Sequence, residues 1–276
     1  MRSAFSAAGA RVLDVHADPD HDRAVFSLAG REGRLAAVLL AGARAALERI
    51  DLGAAEHDPD RPRVHPHVGA VDVVPVVYLD DGARGAACAE ALVAGDLIGA
   101  ELEVPVFLYG ALAGGRPRAE LRGEGRRGLG ARLAAGEATP DFGPARLHPS
   151  AGATLVGARP PLVAFNLELA PPATLHTARA IAARVRESGA EGLPGLRALG
   201  VELASRAGAA QLTMNVEDPA RLTLAEVVSA VRRHAEVTVA ELVGLVPAVA
   251  LEGFPKDVPW RGGDPSRQVL ENALGL

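Results

Sequence analysis

The chain has 276 residues, of which 49% are hydrophobic. That is enough to bury the core of one large domain or two ordinary ones, and it excludes general disorder. A net charge of -5 argues against a broad nucleic-acid-binding face, and no stretch reaches the ~20 apolar residues of a bilayer span. The lone cysteine, Cys88, excludes an internal disulfide framework and a cysteine-based zinc site. It lies in an alanine-rich helical pattern and is expected to be a buried structural thiol. The opening residues are too short and too weakly apolar for a secretory signal, so a soluble cytoplasmic protein is expected, with no nucleic-acid or membrane partner.

Periodicity orders the elements along the chain. "AFSAAGAR", residues 4–11, reads as the last turns of a helix with Gly9 past its end. The chain is therefore expected to start inside that helix, with a strand and the rest of the helix missing before it. "RVLDVHAD" (11–18) and "RAVFSLAG" (23–30) form an antiparallel pair across the polar link "PDHD". Residues 32–52 form a helix, 71–80 a strand, 81–100 a helix and 104–110 a short strand. Residues 111–160, rich in Gly, Pro and Arg, are irregular apart from a helical piece near 117–135. A second run then gives a strand at 161–170, a helix at 174–188, strands at 196–204 and 209–218, a helix at 223–237 and a closing strand at 240–251. Thr223 with Glu226 three residues on is a capping box opening the second of those helices. The run is β-α-β-β-α-β, the split pattern of ferredoxin-like domains. The first half gives β-β-α-β, the same order without its opening strand and helix, which leaves its sheet with an uncovered edge. The fold class is α/β of the α+β sandwich type, with two such subdomains, at 1–157 and 158–251. A tail at 252–276 ends in a short helix.

Five of the eight histidines, His16, His21, His57, His65 and His67, precede residue 68 and sit among acids. Three readings compete. Asp, Pro and His suit polar turns without further purpose. Imidazole and carboxylate are also good metal ligands, and strand alternation places Asp14, His16 and Asp18 on one face, but no HExxH or similar helical pair is present. Histidine is equally suited to proton transfer near neutral pH, and His65, before Pro66, is pushed toward extended backbone. Composition and spacing do not choose among the three.

Longer motifs carry more. "HPHVGAVDVVPVV" (65–77) and "PDFGPARLHPSAGATLVGARPPLVAFNLEL" (140–169) resemble segments of the glutamate formiminotransferase family. "VPVFLYG", "LPGLRALGVEL", "AQLTMNVED" and "AELVGLVP" follow in the family's order, so the resemblance runs from about Val12 to Leu251. It implies two similar α/β subdomains around a tetrahydrofolate channel, with tetrahydrofolate as co-substrate, no metal expected and a homodimeric habit. The implied reaction moves a formimino group from N-formimino-L-glutamate to N5 of tetrahydrofolate and releases glutamate, a step of histidine degradation. The family's catalytic histidine precedes the proline, which carries over to His65 as general acid and base. Asp14, His16, Asp18, Arg23, His67, Asp72 and Arg159 are implied as substrate contacts, Arg23 and Arg159 being the cations for carboxylates. The folate segment carries over to Asp141, Phe142, Gly143, Pro144, Ala145, Arg146, Leu147, His148, Pro149, Ser150, Ala151 and Gly152, with Gly195 and Gly200 beside it. The sequence departs from the family at His67, often arginine; at His16, an acid in the animal enzymes; and at Ala151, a tryptophan there. It also lacks the family's opening strand. A folate-binding homologue without transfer activity, a formyl-transferring variant and a metal-dependent hydrolase are the alternatives.

Overall fold

A computed structural model describes residues 1–55 and 65–276; His57 lies outside the described residues. They form a mixed α/β structure in two compact units. The first holds Met1–Val12 and Leu28–Pro160, and the second holds Leu13–Ser27 and Pro161–Leu276. The hairpin strands expected to begin the first subdomain therefore group for most of their length with the second half of the chain.

In the first unit, α1 (Arg2–Ala7) ends before Gly9, whose φ of 94° is the left-handed turn read from the sequence. Helix α2 (Leu35–Leu47) packs on α4 (Arg84–Leu102), and α3 (Leu52–Ala55) is a single turn between them in sequence. The sheet of this unit has three parallel strands, β3 (Val73–Val77), β5 (Thr154–Arg159) and β4 (Val106–Leu108), with β5 in the middle. Two short helices, α5 (Arg118–Arg122) and α6 (Gly125–Ala134), lie between β4 and β5 in sequence. The segment 111–160 is thus not irregular to its end, since its last residues form the central strand. Thr154 to Ala158 are all buried, as expected of a parallel strand covered on both faces. Gly157 is a glycine for a packing reason, because a Cβ there would lie 2.7 Å from the Tyr109 ring. Cys88 is half-buried against the α4 core rather than fully enclosed.

The hairpin strands β1 (Arg11–Asp18) and β2 (Arg23–Ala29) form a two-stranded sheet of their own. The first half is therefore not one sheet in β-β-α-β order. The second unit has β6 (Val163–Leu169), α7 (Leu175–Val185), β7 (Leu196–Leu203), β8 (Ala209–Val216), α8 (Leu224–Arg232) and β9 (Val237–Leu242). They build an antiparallel sheet in the order β7-β8-β6-β9. The closing strand starts and stops earlier than its apolar pattern predicts. Gly244, at φ 86°, and Pro247 end it, and Ala248–Leu251 is a turn of 3₁₀ helix. Thr223 and Glu226 do form the capping box of α8. Helix α9 (Leu270–Leu274) closes the tail.

Alternation sorts the second sheet by face. Phe165, Leu167 and Leu169 of β6 pack with Leu212 and Met214 of β8 and with α7 and α8 in one apolar cluster. The intervening residues, Asn166 and Glu168, point to the opposite face with Gln211, Thr213 and Glu241. That face is polar although it is buried: Asn166 is 1% exposed and Gln211 fully enclosed.

Candidate functional site

Within the first unit, the histidine loop and the 148–152 turn are held together by backbone. Gly69 and Gly152 form an antiparallel bridge. The N–H of Ala70 donates to the Ala151 carbonyl and that of Ala153 to Val68, each at 2.9 Å. Only glycine allows so close an approach. A Cβ on Gly69 would fall 1.8 Å from the Ala153 oxygen, and one on Gly152, whose φ is 74°, would fall 2.2 Å from the Val68 oxygen.

His65 is half-buried on a bend ahead of this bridge, and His67 is half-buried two residues on. The turn between them is fixed by an arginine that sequence reading did not single out. Arg122 donates from Nη2 to the Pro66 carbonyl at 2.7 Å and pairs with Asp72 Oδ2 at 2.7 Å. Asp72 Oδ1 in turn accepts from the Val68 N–H at 2.8 Å. Asp72, expected at the substrate, thus has both oxygens committed to the loop that carries His65. Charge-assisted bonds of this kind are the strong ones, and here they act on a partly buried pair.

The expected folate residues divide by what they touch. Asp141 Oδ2 accepts from the Leu108 N–H at 2.8 Å and from Arg116 at 2.9 Å, which latches the segment to β4. Phe142 packs on α4 over Gly95 and Gly99, and a Cβ on Gly143, at φ 78°, would meet the Val104 carbonyl at 2.6 Å. These three anchor the segment to the core of the unit. Pro144 is half-buried, and Ala145 and Arg146 are exposed. Leu147 packs over α6 at Gly130. His148 Nδ1 accepts from the Ala151 N–H at 3.0 Å, closing the turn through Pro149 and Ser150. The Pro149 carbonyl accepts from Arg126 at 2.5 Å, and the Ser150 carbonyl from the Leu52 N–H at 2.8 Å. Ala151, in the position of a ring in the animal enzymes, is 1% exposed. Arg159, at the end of β5, has its ordinary high pKa lowered chiefly by burial and further by the neighbouring Arg118. Arg118 stacks over the Tyr109 ring at 5.7 Å. A partly desolvated guanidinium is a strong attractor for a carboxylate.

The second unit gathers the other group. Asp14, His16 and Asp18 share one face of β1, as alternation predicts. His16 and Asp18 lie with Glu241 of β9 in a cluster whose ligand-type atoms are within 4.8 Å of one another. The link "PDHD" is not a solvated turn: Asp20 is 5% and His21 4% exposed. Burial raises the Asp20 pKa, but hydrogen bonds from the Ser205 hydroxyl and N–H, with Arg206 nearby, outweigh it and hold the carboxyl below its ordinary range. The His21 pKa is lowered, first by burial and then by the charge of Arg23. His21 Nε2 lies 2.9 Å from Gln211 Oε1. Arg206 bonds Glu168, which also accepts from Arg261 at 2.5 Å. Arg23 itself is exposed.

Gly195, at φ 72°, turns the chain into β7, and its N–H donates to Glu187. Gly200 faces α7, where a Cβ would fall 2.3 Å from the Arg179 nitrogen, so helix packing accounts for that glycine. The sequence reading missed Asn166, Glu168, Gln211 and Glu241. The signal for two of them was present in "VAFNLEL", where Asn and Glu alternate with buried apolar residues.

Comparison with known proteins places this geometry in a class. Residues 1–159 match the family model described as "Formiminotransferase domain, N-terminal subdomain". The glutamate formimidoyltransferase of Streptococcus pyogenes serotype M1 is 32% identical, with 99% of this chain and 92% of the relative covered. The glutamate formimidoyltransferase of Thermoplasma acidophilum is 29% identical over 96% of this chain and 87% of its own. A formimidoyltransferase-cyclodeaminase of Sus scrofa is 37% identical over 68% of this chain, which spans only 34% of that longer protein. The α+β fold and these relatives together make the molecule a transferase. The chain belongs to the formiminotransferase family. Among the described residues, no helix is long and apolar enough to cross a membrane.

Proposed function

We propose that this protein transfers a formimino group from N-formimino-L-glutamate to N5 of tetrahydrofolate, releasing L-glutamate, as a step of histidine degradation in the cytoplasm. The observation that carries the reading is the glycine bridge between the His65 loop and the 148–152 turn. It holds a histidine turn beside the segment that resembles the family's folate loop, both in one compact unit. Such backbone fixation suits a proton-transfer group, which must be positioned before its basicity matters.

In this reading N5 attacks the formimino carbon, forming a C–N bond and a tetrahedral centre, and loses a proton to His65. The same imidazole then protonates the departing glutamate nitrogen as its C–N bond breaks, so the histidine ends in its starting state. Arg159, Arg23, His67 and the Asp14, His16 and Asp18 face are assigned to substrate carboxylates and their surroundings. Asp72 acts through Arg122 by holding the loop. Ala145, Arg146 and the 148–152 turn are the folate contacts, aided by the turn at Gly195. Asp141, Phe142 and Gly143 hold that segment in place, and Gly200 serves the packing of the unit. The chain is read as the family's two subdomains, 1–157 and 158–251, and the active protein as a homodimer. Light scattering at working concentration checks the last point.

The test is a coupled assay with formiminoglutamate and tetrahydrofolate. Turnover that disappears in His65→Ala supports the reading. Tight folate binding without turnover would assign the chain to a binding role, and turnover with formylglutamate alone would change the donor.

A further inference from the structure

We propose that His16, Asp18 and Glu241 form a divalent-cation site in the second unit, taking a first-row transition ion such as Zn²⁺ or Mn²⁺. Three observations lead there. The first is the ligand set, one imidazole and two carboxylates with donor atoms mutually within 4.8 Å. Tetrahedral metal bonds of about 2.0–2.2 Å place ligand atoms about 3.3–3.6 Å apart, so closure requires each donor to move by about 1 Å or less.

The second is the state of those donors. His16 Nε2 is shielded from solvent and has no hydrogen-bond partner. Asp18 spends Oδ1 on the N–H groups of Asp20 and His21, at 2.8 and 3.2 Å. Its Oδ2 accepts no hydrogen bond and has long ion-pair contacts, to Arg206 at 3.8 Å and His21 at 4.0 Å. Glu241, 7% exposed, accepts one bond, from Asn166 Nδ2 at 3.2 Å. A buried carboxylate with one neutral donor is costly unless a positive charge comes close. Arg206 and Arg261 make their short ion pairs with Glu168, and Arg206 reaches Asp18 only at 3.8 Å and shares its charge among Glu168, Glu241 and Asp18.

The third observation concerns the surrounding groups. Asn166 is 1% exposed and sits against Glu241, yet its Oδ1 has no partner, and Asp14 Oδ2 is likewise buried and unpartnered. Backbone N–H groups orienting one oxygen of Asp18, and an amide orienting Glu241, are the outer partners that ligating carboxylates ordinarily have. The mixed nitrogen and carboxylate set favours zinc or manganese over magnesium, which prefers oxygen ligands alone and keeps its waters. A bound ion would tie β1 to β9 within the second unit and neutralise two buried acids. Because His16 and Asp18 also belong to the face proposed for the substrate, metal titration without substrate reads this site separately from the transfer reaction.

The experiment uses the full chain stripped with chelator and titrated with Zn²⁺, Mn²⁺ or Mg²⁺ alone, following stoichiometry and thermal midpoint. The expected result is one equivalent of Zn²⁺ or Mn²⁺ retained through gel filtration, with the midpoint raised by about 5 °C at saturation. Asn166→Ala should weaken binding about tenfold, and His16→Ala and Glu241→Gln by about a hundredfold or more. Co²⁺ absorption and paramagnetic histidine shifts on the unaltered protein read imidazole ligation directly, should a variant fold poorly. Absence of binding by the unaltered chain, unchanged affinity in well-folded His16→Ala and Glu241→Gln, or Co²⁺ bound without an imidazole would each overturn the proposal.

Discussion

The two units hold their polar groups by opposite means. In the first, His65 sits on a loop, and its position is fixed by backbone contact across Gly69 and Gly152 and by Arg122 on the Pro66 carbonyl. In the second, Asn166, Glu168, Gln211 and Glu241 are fixed by strand register on one face of an antiparallel sheet. A loop clamped by glycine leaves its side chains half-exposed and available for chemistry. A sheet face buries its side chains, and each must then find a partner. The difference teaches where reactivity and where rigidity are to be sought in this chain.

The largest effect is expected where the clamp is broken. Gly69→Ala pushes a methyl into the Ala153 carbonyl, which cannot yield without separating the two loops. Denaturant unfolding should show a loss of about 3 kcal/mol or more, and folate affinity should fall with it. An alanine variant as stable as the parent would show that the loops are not locked together. On the sheet face, Gln211→Leu removes the hydrogen-bond partner of the buried His21 Nε2. A loss of about 1–3 kcal/mol is expected, with the His65 loop unaffected. Equal loss of transfer activity in that variant would blur the contrast between the units. The smallest effect lies on the exposed rim of the second unit. Hydrogen bonds from His234 and then Arg233 lower the Glu191 carboxyl from 4.5 to about 2. A depressed folded pKa contributes stability that is complete above the unfolded value near 4.5 and fades as pH falls through about 2. Stability measured from pH 5 to pH 2 should therefore fall less steeply in Glu191→Gln than in the parent.

The contrast also explains what could be read from sequence. The second unit's strands and helices were legible because their alternation and capping are local, with Thr223 and Glu226 marking α8 unaided. β5 was not, because a short strand buried on both faces has no alternation and Gly157 interrupts it to admit Tyr109. The end of β9 was overrun because "LVGLVPAVAL" is apolar throughout, and only Gly244 and Pro247 mark the break. His65 was legible through its proline-bearing motif. Arg122 was not, because a contact between residues 66 and 122 leaves no mark in either neighbourhood. Asp20 and His21 read only as a polar link since nothing local announces Ser205, Arg206 and Gln211 as partners.

The central claim is that His65 moves the proton in formimino transfer. Steady-state assay of the unaltered chain and of His65→Ala, with tetrahydrofolate affinity measured alongside, tests it most directly. The account predicts a fall in kcat of about 10²–10⁴-fold with folate affinity little changed. Undiminished kcat in His65→Ala would contradict it.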